Sequence, residues 1–463
     1  MRKWRYWLMA SAIVIISIFV ACSNNVDLDS ETTQKPAPLE QELNIWWEQG
    51  YNLEEDEALR QIVNDWQKQT GNKVKLSFFT NDELVNKAER AVKANQPPDL
   101  MMALKGNQML YPGLAWSDKL EDVADIIEPV KDDYSERVLQ SITYTNPQQG
   151  KRSYYGIPVH QSTISIFYWQ QLLASVGLNS NDIPQDWDGF WQFWQQAQVK
   201  LKKERNLDIY GLGFTLARTD DTNLLFEQVL EAHDIKILSD RGELQIDRPE
   251  VKQGIIKCLN WYARLYRQGY IPPDAIEWSN ADNNRHLLNR SILMTSNNSL
   301  SIPVTVRQDA DTYYNHLGMT EFPNKLNGEP MRYILTVRQA VVFKNALHKS
   351  LAKKFLRYFI QPQVAIDYFK KTNGRHQPVQ NSVWQDSFWQ DTKDPYIAAT
   401  TKILTKGNTR LSPEIYNPAY SQVMTQSVWG EALTQVTANK VDPEQAADKA
   451  IAQIKAIFAD WYK

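Results

Sequence analysis

Acids, amides and aromatic rings cluster where apolar runs of the sequence end. Trp47 and Glu48 close the run Leu43-Asn44-Ile45-Trp46-Trp47. Lys105 and Asn107 follow Asp99-Leu100-Met101-Met102-Ala103. Gln161 follows Tyr155-Gly156-Ile157-Pro158-Val159-His160, and Asn297 and Asn298 follow Ser291-Ile292-Leu293-Met294-Thr295. That mixture suits a neutral polyhydroxylated solute. Its C–H faces stack on flat rings, and its hydroxyls trade hydrogen bonds with carboxylate, amide and guanidinium groups. Other chemistries lack their motifs. Gly211-Leu212-Gly213 is only a fragment of a dinucleotide fingerprint, and there is neither a Walker loop nor a nucleophile elbow. Histidines stand at 160, 233, 286, 316, 348 and 376 with no metal-binding spacing, so no metal is expected. Asp220-Asp221 reads as a solvated loop, since adjacent acids do not supply the two carboxyls that a glycosidase sets across a cleft. The expectation is a binding protein with no cofactor and no catalytic residue.

The elements that would position these residues alternate. After the first strand, Leu59, Ile62, Val63 and Trp66 fall at helical spacing and Gly71 stops the helix. Val74, Leu76 and Phe78 alternate as in a strand. Thr80 and Glu83 have the spacing of a capping box before Leu84, Ala88, Ala91 and Val92. Strand, helix, strand, helix, strand predicts an α/β fold with a parallel sheet wrapped by helices. Helices are further predicted through Phe190–Leu201, Ile255–Leu265 and Leu351–Phe359, and strands at Ile164–Tyr168 and Gln339–Phe343. A last helix begins with Asp442 as cap and Pro443 at its first position. Trp66, Trp194 and Trp261 sit on apolar helix faces and are predicted core residues.

The chain has 463 residues, 43% hydrophobic and 23% charged, which excludes a largely disordered protein and provides for two or more domains. A formal net charge of −3 argues against sequence-independent nucleic-acid binding. Arg2, Lys3 and Arg5 precede the apolar run Leu8–Ala21, so residues 1–21 read as a signal peptide. Without those three cations the remaining 48 basic and 54 acidic side chains leave a net of −6. Phe19-Val20-Ala21-Cys22 resembles a bacterial lipobox, which makes Cys22 the lipidated residue and residues 22–42, polar and proline-containing, its flexible tether. Cys258 then has no partner, and its helical apolar surroundings predict a buried small hydrophobe.

Several segments occur in a familiar order behind that lipobox and tether. They are Leu43-Asn44-Ile45-Trp46-Trp47, Pro98-Asp99-Leu100-Met101, Tyr155-Gly156-Ile157-Pro158, Ile183-Pro184-Gln185-Asp186-Trp187, Gly269-Tyr270-Ile271-Pro272-Pro273 and Leu351-Ala352-Lys353-Lys354-Phe355-Leu356. Together they resemble the ABC-transporter extracellular solute-binding proteins of family 1, the maltose-binding-like type, from Leu43 to the C-terminus. The resemblance implies two discontinuous α/β lobes joined by hinge strands, with a ligand cleft between them. Lobe one would be 43–160 plus 336–362, and lobe two 161–335 plus 363–463. It implies a monomeric, lipid-anchored protein of the bacterial envelope, facing the periplasm. That protein would not be an enzyme, and would close on a carbohydrate or related polyhydroxylated solute and deliver it to the membrane subunits of a permease. Carried over position by position, the ligand-binding residues would be Trp47, Glu48, Lys105, Asn107, Gln161, Trp278, Asn297, Asn298, Arg332, Tyr333 and Arg375. Asn297-Asn298-Ser299-Leu300 stands where many relatives have Gly and a stacking Trp, a role that Trp278 would take over. Two other readings remain open. Arg332 and Arg375 in one cleft would favour a polyol phosphate or charged osmolyte, and carboxyls flanking the ligand would favour an envelope glycosidase.

Overall fold

Apolar side chains alternate along the first strand, β1 (Glu42–Glu48): Leu43, Ile45 and Trp47 are buried while Asn44 and Trp46 are half-buried. The helix Leu53–Thr70 covers that face with Ala58, Leu59, Ile62, Val63 and Trp66. Gly71 ends it at φ +73°, its amide donating to the Gln67 carbonyl at 2.8 Å. The structure, a computed structural model, describes residues 42–462; the signal peptide, Cys22 and the tether up to residue 41 lie outside them, and Glu42, counted with the tether, begins β1. β2 (Lys73–Phe79) pairs in parallel with β1, and the helix Asn81–Lys93 opens with the Thr80–Glu83 capping box. β3 (Leu100–Met102) pairs in parallel on the other side of β1.

The next strands depart from the predicted parallel sheet. After the hairpin β4 (Thr143–Asn146) and β5 (Lys151–Tyr154) comes β6 (Ile157–Ser162). The chain then leaves the first sheet through Thr163 and Ile164 and enters a second one. That sheet holds β7 (Ser165–Trp169), β8 (Tyr210–Leu212), β9 (Ile292–Asn297) and β10 (Leu317–Thr320), in the order β10-β7-β9-β8. β11 (Tyr333–Val342) brings the chain back, and β12 (Thr409–Leu411) pairs in parallel with its start. β11 runs antiparallel to both β3 and β6, so the first sheet, ordered β12-β11-β3-β1-β2, is mixed. The physical reason is that β11 arrives directly from the second sheet, without the crossover helix that a parallel connection requires.

The high Trp count belongs mostly to the cores. One helix, Trp187–Arg205, buries Trp187, Phe190, Trp191, Phe193 and Trp194. Trp187 and Trp191 pack on Trp261 of the helix Pro249–Arg267, with Trp191 and Trp261 ring centroids 5.1 Å apart. Asp186 caps the first helix, accepting from the Gly189 amide at 2.8 Å. Trp66, Trp194, Trp261 and Cys258 are all buried, and burial pushes the Cys258 thiol far up, which leaves it inert. The final helix, Pro443–Trp461, starts at Asp442, which accepts from the Glu444 amide at 2.9 Å. Among the described residues no helix is long and apolar enough to cross a membrane.

Trp194 is fully buried against Tyr168, Phe190 and Phe193. Trp194→Ala is expected to cost about 3–5 kcal/mol, seen as a lowered urea midpoint with an unchanged slope. A loss under about 1 kcal/mol would mean that the aromatic cluster repacks around the hole.

Candidate functional site

The carboxyl ends of parallel strands leave backbone and loop groups pointing past the sheet, and α/β sheets hold ligands there. Here the ends of β1 and β3 from one sheet face the end of β9 from the other across a cleft of about 330 Å³. β1 contributes Glu48, and β9 and the turn after it contribute Asn297 and Asn298. Asp220 and Asp221 open the helix Asp220–Ala232, Arg338 comes from β11, and Arg375 and His376 come from the loop after the helix Pro362–Lys371.

The charges in this cleft are engaged with one another. Lys105 Nζ lies 3.2 Å from an Asp220 oxygen. Arg375 Nη1 donates to both Glu55 oxygens at 2.6 Å, and its guanidinium stands 5.4 Å over the Tyr51 ring. Arg338 Nη1 donates to the Leu104 carbonyl and to Asn107 Oδ1 at 3.0 Å. Two acids are held close to neutrality. Burial pushes the Glu48 carboxyl up to about 7, although it accepts the Leu104 amide at 2.6 Å and feels Arg338. Burial and the neighbouring Asp220 charge push Asp221 up to about 7 as well. Behind them runs an amide and hydroxyl chain: Asn297 Nδ2 donates to Asn284 Oδ1 at 2.6 Å, and Asn297 Oδ1 accepts the Ser299 amide at 3.0 Å.

His376 completes the floor. Its ring stacks on His160 with centroids 3.8 Å apart and planes 17° off parallel. Both rings are buried, and neither His376 nitrogen has a hydrogen-bond partner. Burial, His160 and the nearby arginines hold His376 well below the usual histidine range, so the ring is neutral and offers one donor and one acceptor. Among the described residues no group of three or more His, Cys, Asp or Glu side chains is placed to hold a metal ion.

Of the residues picked from sequence, Glu48, Asn297, Asn298 and Arg375 line the cleft. Lys105 sits at its edge through Asp220, and Asn107 lies beneath it as an acceptor for Arg338. The others are engaged elsewhere. Trp47 packs against Phe359, because consecutive strand residues face opposite sides and Glu48 takes the cleft side. Gln161 Nε2 donates to the Pro378 carbonyl at 2.7 Å, and its backbone bridges to Gln377. Trp278 is buried and stacked on His286 at 4.3 Å, so it supplies no platform to the cleft. Tyr333 begins β11 inside the core, its hydroxyl accepting the Phe322 amide at 3.1 Å. Arg332 pairs with Glu231 at 2.6 Å beside a separate cavity.

Asp220-Asp221 is the clearest correction. The pair is no solvated loop but the first turn of a helix, capped by Thr219, whose hydroxyl accepts the Thr222 amide at 3.3 Å. A cap followed by two acids and the apolar Leu224-Leu225-Phe226 was the signal that could have shown it. Arg338 also went unnoticed, although a lone charge inside Ile334–Val342 is itself anomalous for a buried strand. His376 has no comparable local signal.

The family model of bacterial extracellular solute-binding proteins matches residues 61–399. Among solved structures, an ABC-transporter solute-binding protein from Thermotoga lettingae TMO bound with alpha-D-tagatose superposes with a TM-score of 0.74 at 21% identity, covering 90% of this chain and 99% of that one. Maltose-bound T. maritima MalE3 gives 0.73 at 17% identity, with 90% and 100% covered. A sugar transporter structure from Arthrobacter chlorophenolicus A6 with bound laminaribiose gives 0.73 at 12%, with 90% and 99% covered. No protein of curated function matches the sequence.

Glu48 and Asp221 have folded pKa values near 7 against ordinary values of 4.5 and 3.8. Between these limits the folded chain holds protons that the unfolded chain has lost. The stability they contribute is therefore present at low pH and disappears as pH rises through about 7. Buried His160 and His376, held neutral in the fold, pull the other way as pH rises toward the ordinary histidine value, so the acids are read by difference. The urea midpoint of the native protein minus that of the double variant Glu48→Gln, Asp221→Asn is expected to fall from about pH 5 to about pH 8. A flat difference would assign the dependence to other groups.

Proposed function

We propose that this chain, which belongs to the bacterial extracellular solute-binding protein family, captures a neutral carbohydrate or related polyhydroxylated solute for an ABC importer. One observation carries the reading. The cleft's cations are matched by protein carboxylates and carbonyls, while amides, hydroxyls, a neutral imidazole and two acids near neutrality face inward. A neutral solute rich in hydroxyls satisfies such a surface, and each hydroxyl left unmatched on closure would cost about 1–3 kcal/mol. The tagatose, maltose and laminaribiose of the similar structures belong to the same chemical class.

Hinge motion would act where the chain passes from β6 to β7 and returns along β11, near Gln161 and Thr336, and at a third crossover near Gln361. It would separate lobe one (43–160 plus 336–362) from lobe two (161–335 plus 363–463). Closure over the solute would create the surface that the permease reads. Lipid on Cys22 would hold a monomer at the envelope. The charged-solute alternative loses its motive, because Arg332 and Arg375 do not share a cleft.

The test uses the protein without residues 1–22 against a panel of mono- and oligosaccharides, polyols and their phosphates. A true ligand at about 100 times its Kd should add roughly 2.7 kcal/mol and raise the thermal midpoint. Asp221→Asn and His376→Ala are expected to weaken calorimetric binding about tenfold or more. A panel without one saturable hit would sink the carbohydrate reading, and a hit recovered cleaved would make the protein a hydrolase.

A further inference from the structure

The cleft also limits the length of its solute, an inference that rests on the carbohydrate reading given above. Its space of about 330 Å³ takes roughly eleven waters at about 30 Å³ each. A hexose or a cyclic polyol has about twelve heavy atoms and fills that space, whereas a two-ring sugar has about twenty-three and needs about twice as much. The proposed hinge closure would draw the walls together, so it adds no room for a second ring.

The polar lining is scaled to one ring as well. Four lining residues hold five buried polar atoms without a partner in the protein: Asn81 Oδ1, Arg338 Nε, Arg375 Nε and both ring nitrogens of His376. A single hexose ring carries a comparable number of hydroxyls, each able to donate and to accept. Surfaces for stacking are few. Tyr51 and His376 line the space, and one face of each is already covered: the Arg375 guanidinium stands 5.4 Å over Tyr51, and His160 stacks on His376 at 3.8 Å. With Trp47 packed on Phe359 and Trp278 on His286, the cleft has no row of open rings for successive sugar units.

One edge is also barred. Lys105 Nζ and an Asp220 oxygen, 3.2 Å apart, tie the segment after β3 to the first turn of the helix Asp220–Ala232. Their side chains are only 11% and 13% exposed, so the pair is shielded from the water and salt that weaken surface ion pairs. A second ring leaving the cleft on that side would have to part it. We propose that the cleft admits one sugar or cyclic-polyol ring, held through its hydroxyls, and that the Lys105–Asp220 pair enforces this length.

The measurement is calorimetric titration of the folded protein, with thermal midpoints read in parallel. Glucose, galactose, mannose, fructose and myo-inositol are compared with maltose, cellobiose, lactose and maltotriose. A single-ring member is expected to bind at least about tenfold tighter than every longer sugar that contains it. The double variant Lys105→Ala, Asp220→Ala removes both charges together, and there the ratio is expected to fall below about threefold. An oligosaccharide that matches or exceeds its own monomer overturns the one-ring limit and leaves the carbohydrate reading standing. Absence of saturable binding by sugars of either length overturns both. A folded double variant that keeps the full ratio overturns the role of the ion pair, and the size series on the native protein decides the limit whether or not that variant folds.

Discussion

Arg338 is a guanidinium in the middle of a buried strand, and much of the cleft is arranged around it. A buried cation without hydrogen bonds costs several kcal/mol. The segment after β3 therefore has to wrap it, and the Leu104 carbonyl with the Asn107 and Gln108 side chains does so. That wrapping sets the loop's path, which brings the Leu104 amide onto Glu48 and Lys105 onto Asp220. Across the ladder Arg338 faces His160, and the register of β11 against β6 slips at the next residue. The bulge turns the strand just where it passes beneath the cleft. Burial above all, with a further push from this charge, keeps the stacked imidazoles neutral.

Polar contacts also join the second-sheet side to β11. Gln228 Nε2 donates to the Arg332 carbonyl at 2.8 Å and Gln228 Oε1 accepts the Ile334 amide at 3.3 Å, beside the Glu231 ion pairs. Contacts of this kind exchange with water at modest net cost, unlike an interdigitated apolar seam. A junction built from them is compatible with two relative positions of its halves, whereas the Trp-rich cores on either side are not deformable in that way.

The sequence made the repeating parts legible. Gly71, the Thr80 box and Asp442-Pro443 are local chemistry, and each ends or starts a helix as expected. The cleft was half legible. Glu48, Asn297 and Asn298 line it because strand ends open onto it, but strand parity puts Trp47 on the other side from Glu48. Trp278 and Arg332 were misplaced because their partners, His286 and Glu231, are tertiary and carry no spacing signal. The antiparallel β11 was hidden for the same reason. Direction of pairing depends on where a strand enters a sheet, and no local pattern records that.

The helix Asp220–Ala232 has a property that follows from its burial. From Thr222 onward every residue is buried, so the element has no solvent stripe. Most helices can absorb an inserted or deleted residue by turning their wet face a little. Here one inserted residue would rotate all later positions by about 100°. Glu227, Gln228 and Glu231 would swing into apolar neighbours, and no orientation is neutral. This stretch should therefore be close to incompressible in length over evolutionary time, with changes confined to like-for-like substitutions, while the connecting loops around it are free to lengthen.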